Sequence, residues 1–193
     1  KYELHDVYRA LPVLAESNDY IQSELYRNSS FLHKRNTKVL YYDCTNYYFE
    51  LEQADDLRKY GKCKQHQPLP IVGMGLFMDH DGIPLAFDIY PGNMNEQPTL
   101  KPLEKKIIGE YGLDHVIVCT DAGLSSAANR KFNDRDLPDG RTKRFLTTQS
   151  IKVLPDLLKD FALGTEDWHL IGDDKVYSLN DLNEEDDYNK VFY

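Results

Sequence analysis

The run His115-Val116-Ile117-Val118-Cys119-Thr120-Asp121 limits the fold more than any other part of the chain. A short, continuous β-branched run that ends in an acid, with Gly123 close behind, reads as a buried strand of a parallel sheet. Val39-Leu40-Tyr41-Tyr42-Asp43-Cys44-Thr45 is a second such run, extending through Tyr47-Tyr48-Phe49. Ile71 to Met78 and Ile83 to Tyr90 are joined by Asp79-His80-Asp81-Gly82, whose Asp-Gly supplies the positive φ of a tight antiparallel hairpin. Gln97 to Tyr111 carries Leu100, Leu103, Ile107 and Ile108 at helical spacing until Gly112 stops it. A short helix from about Ser125 to Phe132, a strand at Arg144 to Thr148 and a helix at Val153 to Leu163 complete the series. This order predicts an α/β fold: a mixed five-stranded sheet flanked by helices, with its first and fourth strands side by side. Before it, residues 1–37 form a helical segment, with Leu4, Val7, Tyr8, Leu11 and Leu14, then Ile21, Leu25 and Tyr26, as apolar stripes broken near Ser17-Asn18-Asp19.

Composition excludes several classes. With 41% hydrophobic residues, 14 Tyr and 8 Phe, the chain can fill a core and is not disordered by composition. No apolar run approaches the roughly 18 residues of a membrane helix, and Lys1 to Ala10 lacks the apolar stretch of a secretory signal, so a cytoplasmic protein without membrane partners is expected. Cys44, Cys63 and Cys119 contain no C-x-x-C pair and predict reduced, buried thiols. The net charge of −9 is uneven. Residues 166–190 hold nine acids and two bases, which leaves the first 165 residues close to balance at 23 acids and 21 bases. A nucleic-acid partner for that part is therefore not excluded. The acidic stretch itself reads as a solvated surface or linker, and the start at Lys1 and the close at Val191-Phe192-Tyr193 as an excised piece of a longer protein.

Two acids occupy unusual places. Asp43 interrupts the first apolar strand, and Asp121 closes the fourth. A carboxylate in a dry sheet must raise its pKa or find a cation, and two on neighbouring strands repel unless a divalent ion lies between them. Open α/β sheets also place ligands at the carboxyl ends of their parallel strands. Spacing alone leaves open the plainer alternative that each acid caps a loop or pairs with a lysine.

Four ordered blocks sharpen this. They are Tyr42-Asp43-Cys44-Thr45-Asn46-Tyr47-Tyr48-Phe49-Glu50, Leu57-Arg58-Lys59-Tyr60-Gly61-Lys62-Cys63-Lys64, Gly92-Asn93-Met94-Asn95-Glu96-Gln97-Pro98-Thr99-Leu100, and Val118-Cys119-Thr120-Asp121-Ala122-Gly123. Together, from about Lys38 to Ser150, they resemble the catalytic core of DDE transposases of bacterial insertion sequences, whose fold is RNase H-like. The resemblance implies metal-dependent DNA strand cleavage and strand transfer at transposon ends, with Mg2+ or Mn2+ at a two-metal site. Asp43 and Asp121 match the family's first and second catalytic aspartates. It further implies a homodimer assembled on transposon-end and target DNA, in the bacterial cytoplasm. The family's third acid, a glutamate with Tyr and Arg before it and Lys after it on one helical face, has no match at Glu166, Glu184 or Glu185. The expected organisation is thus a helical segment 1–37, a partial catalytic core 38–165, and an acidic segment 166–193 beginning an insertion, with the glutamate beyond Tyr193 and this piece alone inactive. The alternatives are an RNase H-like nuclease and a non-catalytic nucleic-acid-binding or assembly module of the same fold.

Arg58, Lys59, Lys62 and Lys64, with His66, form the densest basic patch and are the candidate DNA contacts. Arg141-Thr142-Lys143-Arg144 is a weaker one. Asn93 and Glu96 are read as turn and cap residues, and Asp79, His80 and Asp81 as hairpin turn residues rather than metal ligands.

Overall fold

The computed structural model describes residues 2–187 and 190–193 and divides into two units, Lys1–Thr148 and Gln149–Tyr193. The first is built on a six-stranded sheet ordered β3-β2-β1-β4-β6-β5. Its strands are β1 (Val39–Tyr48), β2 (Ile71–Met78), β3 (Pro84–Pro91), β4 (His115–Thr120), β5 (Arg135–Asp136) and β6 (Thr142–Thr147). β1, β4 and β6 run parallel, whereas β2, β3 and β5 are antiparallel to their neighbours. The predicted adjacency of the first and fourth strands is present. The additional strand, β5, is two residues long, too short for any periodicity to announce it.

β1 alternates. Leu40, Tyr42, Cys44 and Asn46 are buried while Tyr41, Asp43 and Tyr47 are exposed, so one face of the strand carries the core. On that face Leu40, Tyr42, Phe77, Leu85 and Val118 pack against Leu100, Leu103, Ile107 and Ile108 of α3 (Leu100–Tyr111). Gly73 and Gly75 let aromatic rings lie flat on the sheet. A Cβ on Gly73 would fall 2.0 Å from the Tyr90 ring, and one on Gly75 2.2 Å from the Tyr42 hydroxyl oxygen. That hydroxyl is 2.6 Å from Thr99 Oγ1, and burial raises its pKa.

Helix α3 ends at Gly112 in the left-handed conformation, φ 65° and ψ 37°. A Cβ there would meet no atom within 4 Å, so Gly112→Ala is opposed by backbone conformation alone. A loss of about 1–2 kcal/mol in urea unfolding is expected.

Helices α1 (Leu4–Glu16) and α2 (Asn18–Leu32) break at Ser17, as the spacing predicts. Their apolar stripes, however, form only part of the packing face, through Tyr26. α1 buries nothing, and α2 turns Gln22 and Ser23 inward while Leu25 stays 64% exposed. The reason is that β3 is an edge strand with unpaired backbone groups. Gln22 Oε1 accepts the Phe87 N–H at 2.6 Å, and Tyr26 stacks on Tyr111 with ring centroids 4.3 Å apart.

The second unit contains α5 (Asp156–Leu163), a two-stranded ladder of β7 (Trp168–His169) and β8 (Val176–Tyr177), and the short α6 (Glu184–Asp187). Within it Phe161 stacks on Trp168, and Tyr177 meets Phe192 edge-on. Between β4 and β6, α4 (Ala127–Phe132) is capped by Ser126, whose Oγ accepts the Asn129 N–H. No helix among the described residues is long and apolar enough to cross a membrane.

Candidate active site

The site begins with register. Val39, Leu40 and Tyr41 of β1 pair with Ile117, Val118 and Cys119 of β4, and there the ladder stops. Beyond it β1 stays hydrogen-bonded to β2 as far as Tyr48, and β4 stays on β6 through Thr120. The two parallel strands therefore part just after Tyr41 and Cys119. Two residues further along each chain come Asp43 and Asp121. Asp43, two residues after Tyr41 within β1, shares the exposed face of Tyr41, and Asp121 is the first residue beyond β4, in the loop that follows the point where the strands part.

The sequence places Asp43 in a dry sheet; the structure corrects this. The strand's alternation turns Asp43 to the exposed face, and Asp121 is exposed as well. Burial is therefore not what drives these carboxylates toward a cation. Their partners are local backbone groups. Asp43 Oδ1 accepts the Cys44 N–H at 2.8 Å, and Asp121 Oδ1 accepts the Leu124 N–H at 3.0 Å, closing the turn into α4. The loop-capping alternative thus holds for one oxygen of Asp121. The other oxygen of each acid has no hydrogen-bond partner, and neither acid forms an ion pair, among the described residues. Gly123 keeps that room open, since a Cβ on it would lie 3.3 Å from Asp121 Oδ2. Thr147 Oγ1 fixes the loop by donating to the Asp121 carbonyl at 3.2 Å.

Two exposed carboxylates with free oxygens fit a hard divalent cation, since Mg2+ is commonly held by one or two carboxylates with waters and substrate phosphates completing its shell. No cluster of three or more His, Cys, Asp or Glu side chains suited to a metal occurs among the described residues. Cys119, two residues before Asp121, is kept a thiol by burial, which raises its pKa.

The basic residues separate into two groups. Arg58 is committed locally: its Nε donates to Asp55 Oδ2 at 2.7 Å, and its guanidinium lies over the Phe49 ring. The Arg58 backbone N–H, and after it the guanidinium, hold the Asp55 carboxyl below its usual range. Lys59 bridges to Ile71 through backbone hydrogen bonds. Lys62 and Lys64 line a cleft of about 780 Å³ at the carboxyl end of β1, together with His66. The Lys64 ammonium reaches the Cys44 carbonyl, next to Asp43.

Other residues that shape the cleft come from far apart in the chain. Asn46 clasps the basic loop, its Nδ2 donating to the Lys62 carbonyl at 3.3 Å and its Oδ1 accepting the Lys64 N–H at 3.1 Å. Gln97 Nε2 donates to the Gly123 carbonyl at 3.0 Å, tying the loop after β3 to the turn after Asp121. In that loop it is Asn95, rather than Asn93 or Glu96, whose side chain makes the turn hydrogen bond, to the Gln97 N–H. Only the TNYY and GNMNEQ blocks signalled these residues in advance.

No protein-family model and no curated protein matches the chain. Three solved structures are similar to it. One is a cryo-EM structure of the piggyBac transposase synaptic complex with hairpin DNA, at 15% identity and a TM-score of 0.44, matched over 64% of this chain and 26% of that one. The Mos1 transposase paired-end complex with the left transposon end has 18% identity and a TM-score of 0.33, over 58% and 36% of the two chains. A crystal structure of the Mos1 mariner paired-end complex with Mn has a TM-score of 0.31 at the same identity and coverage. The chain thus spans between about a quarter and somewhat over a third of the length of these proteins. The strand register and the two carboxylates, not these scores, carry the reading that follows.

Proposed function

We propose that this chain is a DDE-type transposase core of a bacterial insertion sequence, which carries out metal-dependent phosphoryl transfer on DNA in the cytoplasm, as a homodimer assembled on its DNA. The observation that supports this reading is the register of β1 and β4, which ends just before Asp43 and Asp121, with both acids exposed where the two parallel strands part. The ordered sequence blocks around both acids support it too.

In this reading Asp43 and Asp121 hold Mg2+ or Mn2+ through their unengaged oxygens. A bound pair of ions would activate a water or a 3′ hydroxyl and stabilise the leaving oxygen of an in-line displacement. The chain's own residues do the rest. The backbone N–H groups of Cys44 and Leu124 orient the carboxylates before any ion arrives, so little side-chain freedom is lost on binding. Lys62 and Lys64 bring positive charge to the cleft, where a phosphate backbone would run, whereas the Arg58 guanidinium is already paired with Asp55.

The test is a Mn2+ titration read by electron paramagnetic resonance. Wild-type protein should bind the ion saturably, and Asp43→Asn and Asp121→Asn should each weaken binding at least about tenfold, or ~1.4 kcal/mol. Because both side chains are exposed, both variants should keep their folding stability within about 0.5 kcal/mol. Equal Mn2+ binding by all three proteins would favour the non-catalytic binding module instead.

A further inference from the structure

We propose that the cleft beside the two carboxylates is a pocket for one unpaired nucleotide of a DNA strand, with the base inside and its phosphates at the basic rim. The inference deepens the transposase reading and rests on it for the identity of the polymer. At about 780 Å³ the cleft lies within the ~300–1,000 Å³ of small-ligand sites, and so admits a single nucleotide rather than a duplex.

Its lining is divided by chemistry. Tyr60 and Met94, both exposed, supply aromatic and apolar surface on which a base can stack. Lys62, Lys64 and His66 come from one loop and carry the cations and donors suited to phosphate oxygens. Glu96 also lines the cleft, and its charge disfavours an anion lodged inside, which is why the phosphates belong at the rim and the base within.

The amides separate in the same way. Asn46 and Asn95 spend their side chains on the fold, whereas Asn93 is exposed, lines the cleft and makes no side-chain hydrogen bond among the described residues. A free amide presents a donor and an acceptor together, which is what the edge of a base requires.

The walls are fixed in advance. A Cβ on Gly61 would fall 2.0 Å from the Gly92 carbonyl oxygen, so the two loops meet backbone to backbone. His66 holds φ 57°, a left-handed conformation that a non-glycine residue keeps only when its surroundings impose it. Gly123 lines the cleft two residues after Asp121, and Lys64 reaches the carbonyl beside Asp43, so a nucleotide held here would neighbour the phosphate at the carboxylates.

The experiment uses the whole chain in EDTA, so that no divalent ion contributes and the pocket is judged apart from the metal site. The probe is a single-stranded trinucleotide with 2-aminopurine at its centre, compared with a fully abasic phosphodiester of equal length. Saturable quenching of the 2-aminopurine is expected, with the abasic strand bound at least about tenfold more weakly. Lys62→Ala and Asn93→Ala, both at exposed positions, should each weaken the trinucleotide about tenfold with unchanged circular dichroism and melting temperature. Equal affinity for the abasic strand, or binding as tight as wild type by both variants, would overturn the pocket. A pocket that fails while Mn2+ binding survives leaves the transposase reading intact; the reverse result removes the catalytic reading and keeps the pocket.

Discussion

Lys143→Met should cost the first unit about 3–5 kcal/mol of folding stability, the penalty of leaving a buried charge without its partner. Glu104 on α3 is fully buried, and Lys143 on β6, 2% exposed, places its ammonium against the carboxylate. The same ammonium lies 3.7 Å from the centre of the Phe132 ring. Burial pushes the Glu104 carboxyl up and the Lys143 ammonium down, and each opposes the shift in the other through its charge. Removing the lysine leaves burial to act on Glu104 with much less opposition. The folded variant then holds a proton that the unfolded chain releases, so its stability falls as pH rises through the ordinary carboxylate range and recovers on acidification. Urea unfolding at pH 7 should show a midpoint lower by about 1.5–2.5 M, taking a slope of ~2 kcal/mol/M. Glu104→Leu combined with Lys143→Met should regain most of the loss, because it leaves no charge to desolvate. A single variant within about 1 kcal/mol of wild type at pH 7 would mean that water reaches Glu104.

How much of this was legible in the sequence depended on the range of the interaction. The Asp79-His80-Asp81-Gly82 hairpin, the helix stopped at Gly112 and the strand ending at Asp121 are local patterns, and each is found where the residues place it. Asp43 was legible as an acid out of place but not as an exposed one. A run such as Val39 to Thr45 reads as buried on both faces, yet Tyr41, with its apolar ring, is 38% exposed on the same side as Asp43. Hydrophobicity reports what a face can bury, not what covers it. The cleft was illegible for another reason, since Asn46, Lys62, Asn93 and Gly123 come from separate segments that only the sheet order brings together. The same holds for buried pairs such as Glu104 with Lys143, which obey no period.

Arg35→Met should be comparably severe, about 3–5 kcal/mol, and should act on a different part of the unit. Asp79, directly after β2, has no exposed surface, and its Oδ1 accepts the N–H groups of Asp81 and Ile83, which shapes the hairpin. Its Oδ2 receives the Arg35 Nε at 2.5 Å. The guanidinium also donates to the carbonyls of Ile83 and Pro84 and to Ser29 Oγ near the end of α2. One side chain therefore neutralises a buried carboxylate, satisfies two edge carbonyls and ties α2 to the β2–β3 turn. Methionine keeps some of the aliphatic stem but none of the five donors, so the carboxylate is left with two backbone N–H groups and no counter-charge. The loss should be spatially selective. Amide hydrogen exchange should accelerate first in α2 and the 79–83 turn, while β4 and β6, to which Arg35 makes no hydrogen bond among the described residues, should exchange only as fast as the lowered global stability allows. Asp79→Asn joined to Arg35→Met removes the stranded charge and should recover part of the stability without restoring the tie to α2. If the single variant unfolds no more easily than wild type, or if α2 keeps its protection, the pair is not what fastens the helical segment to the sheet.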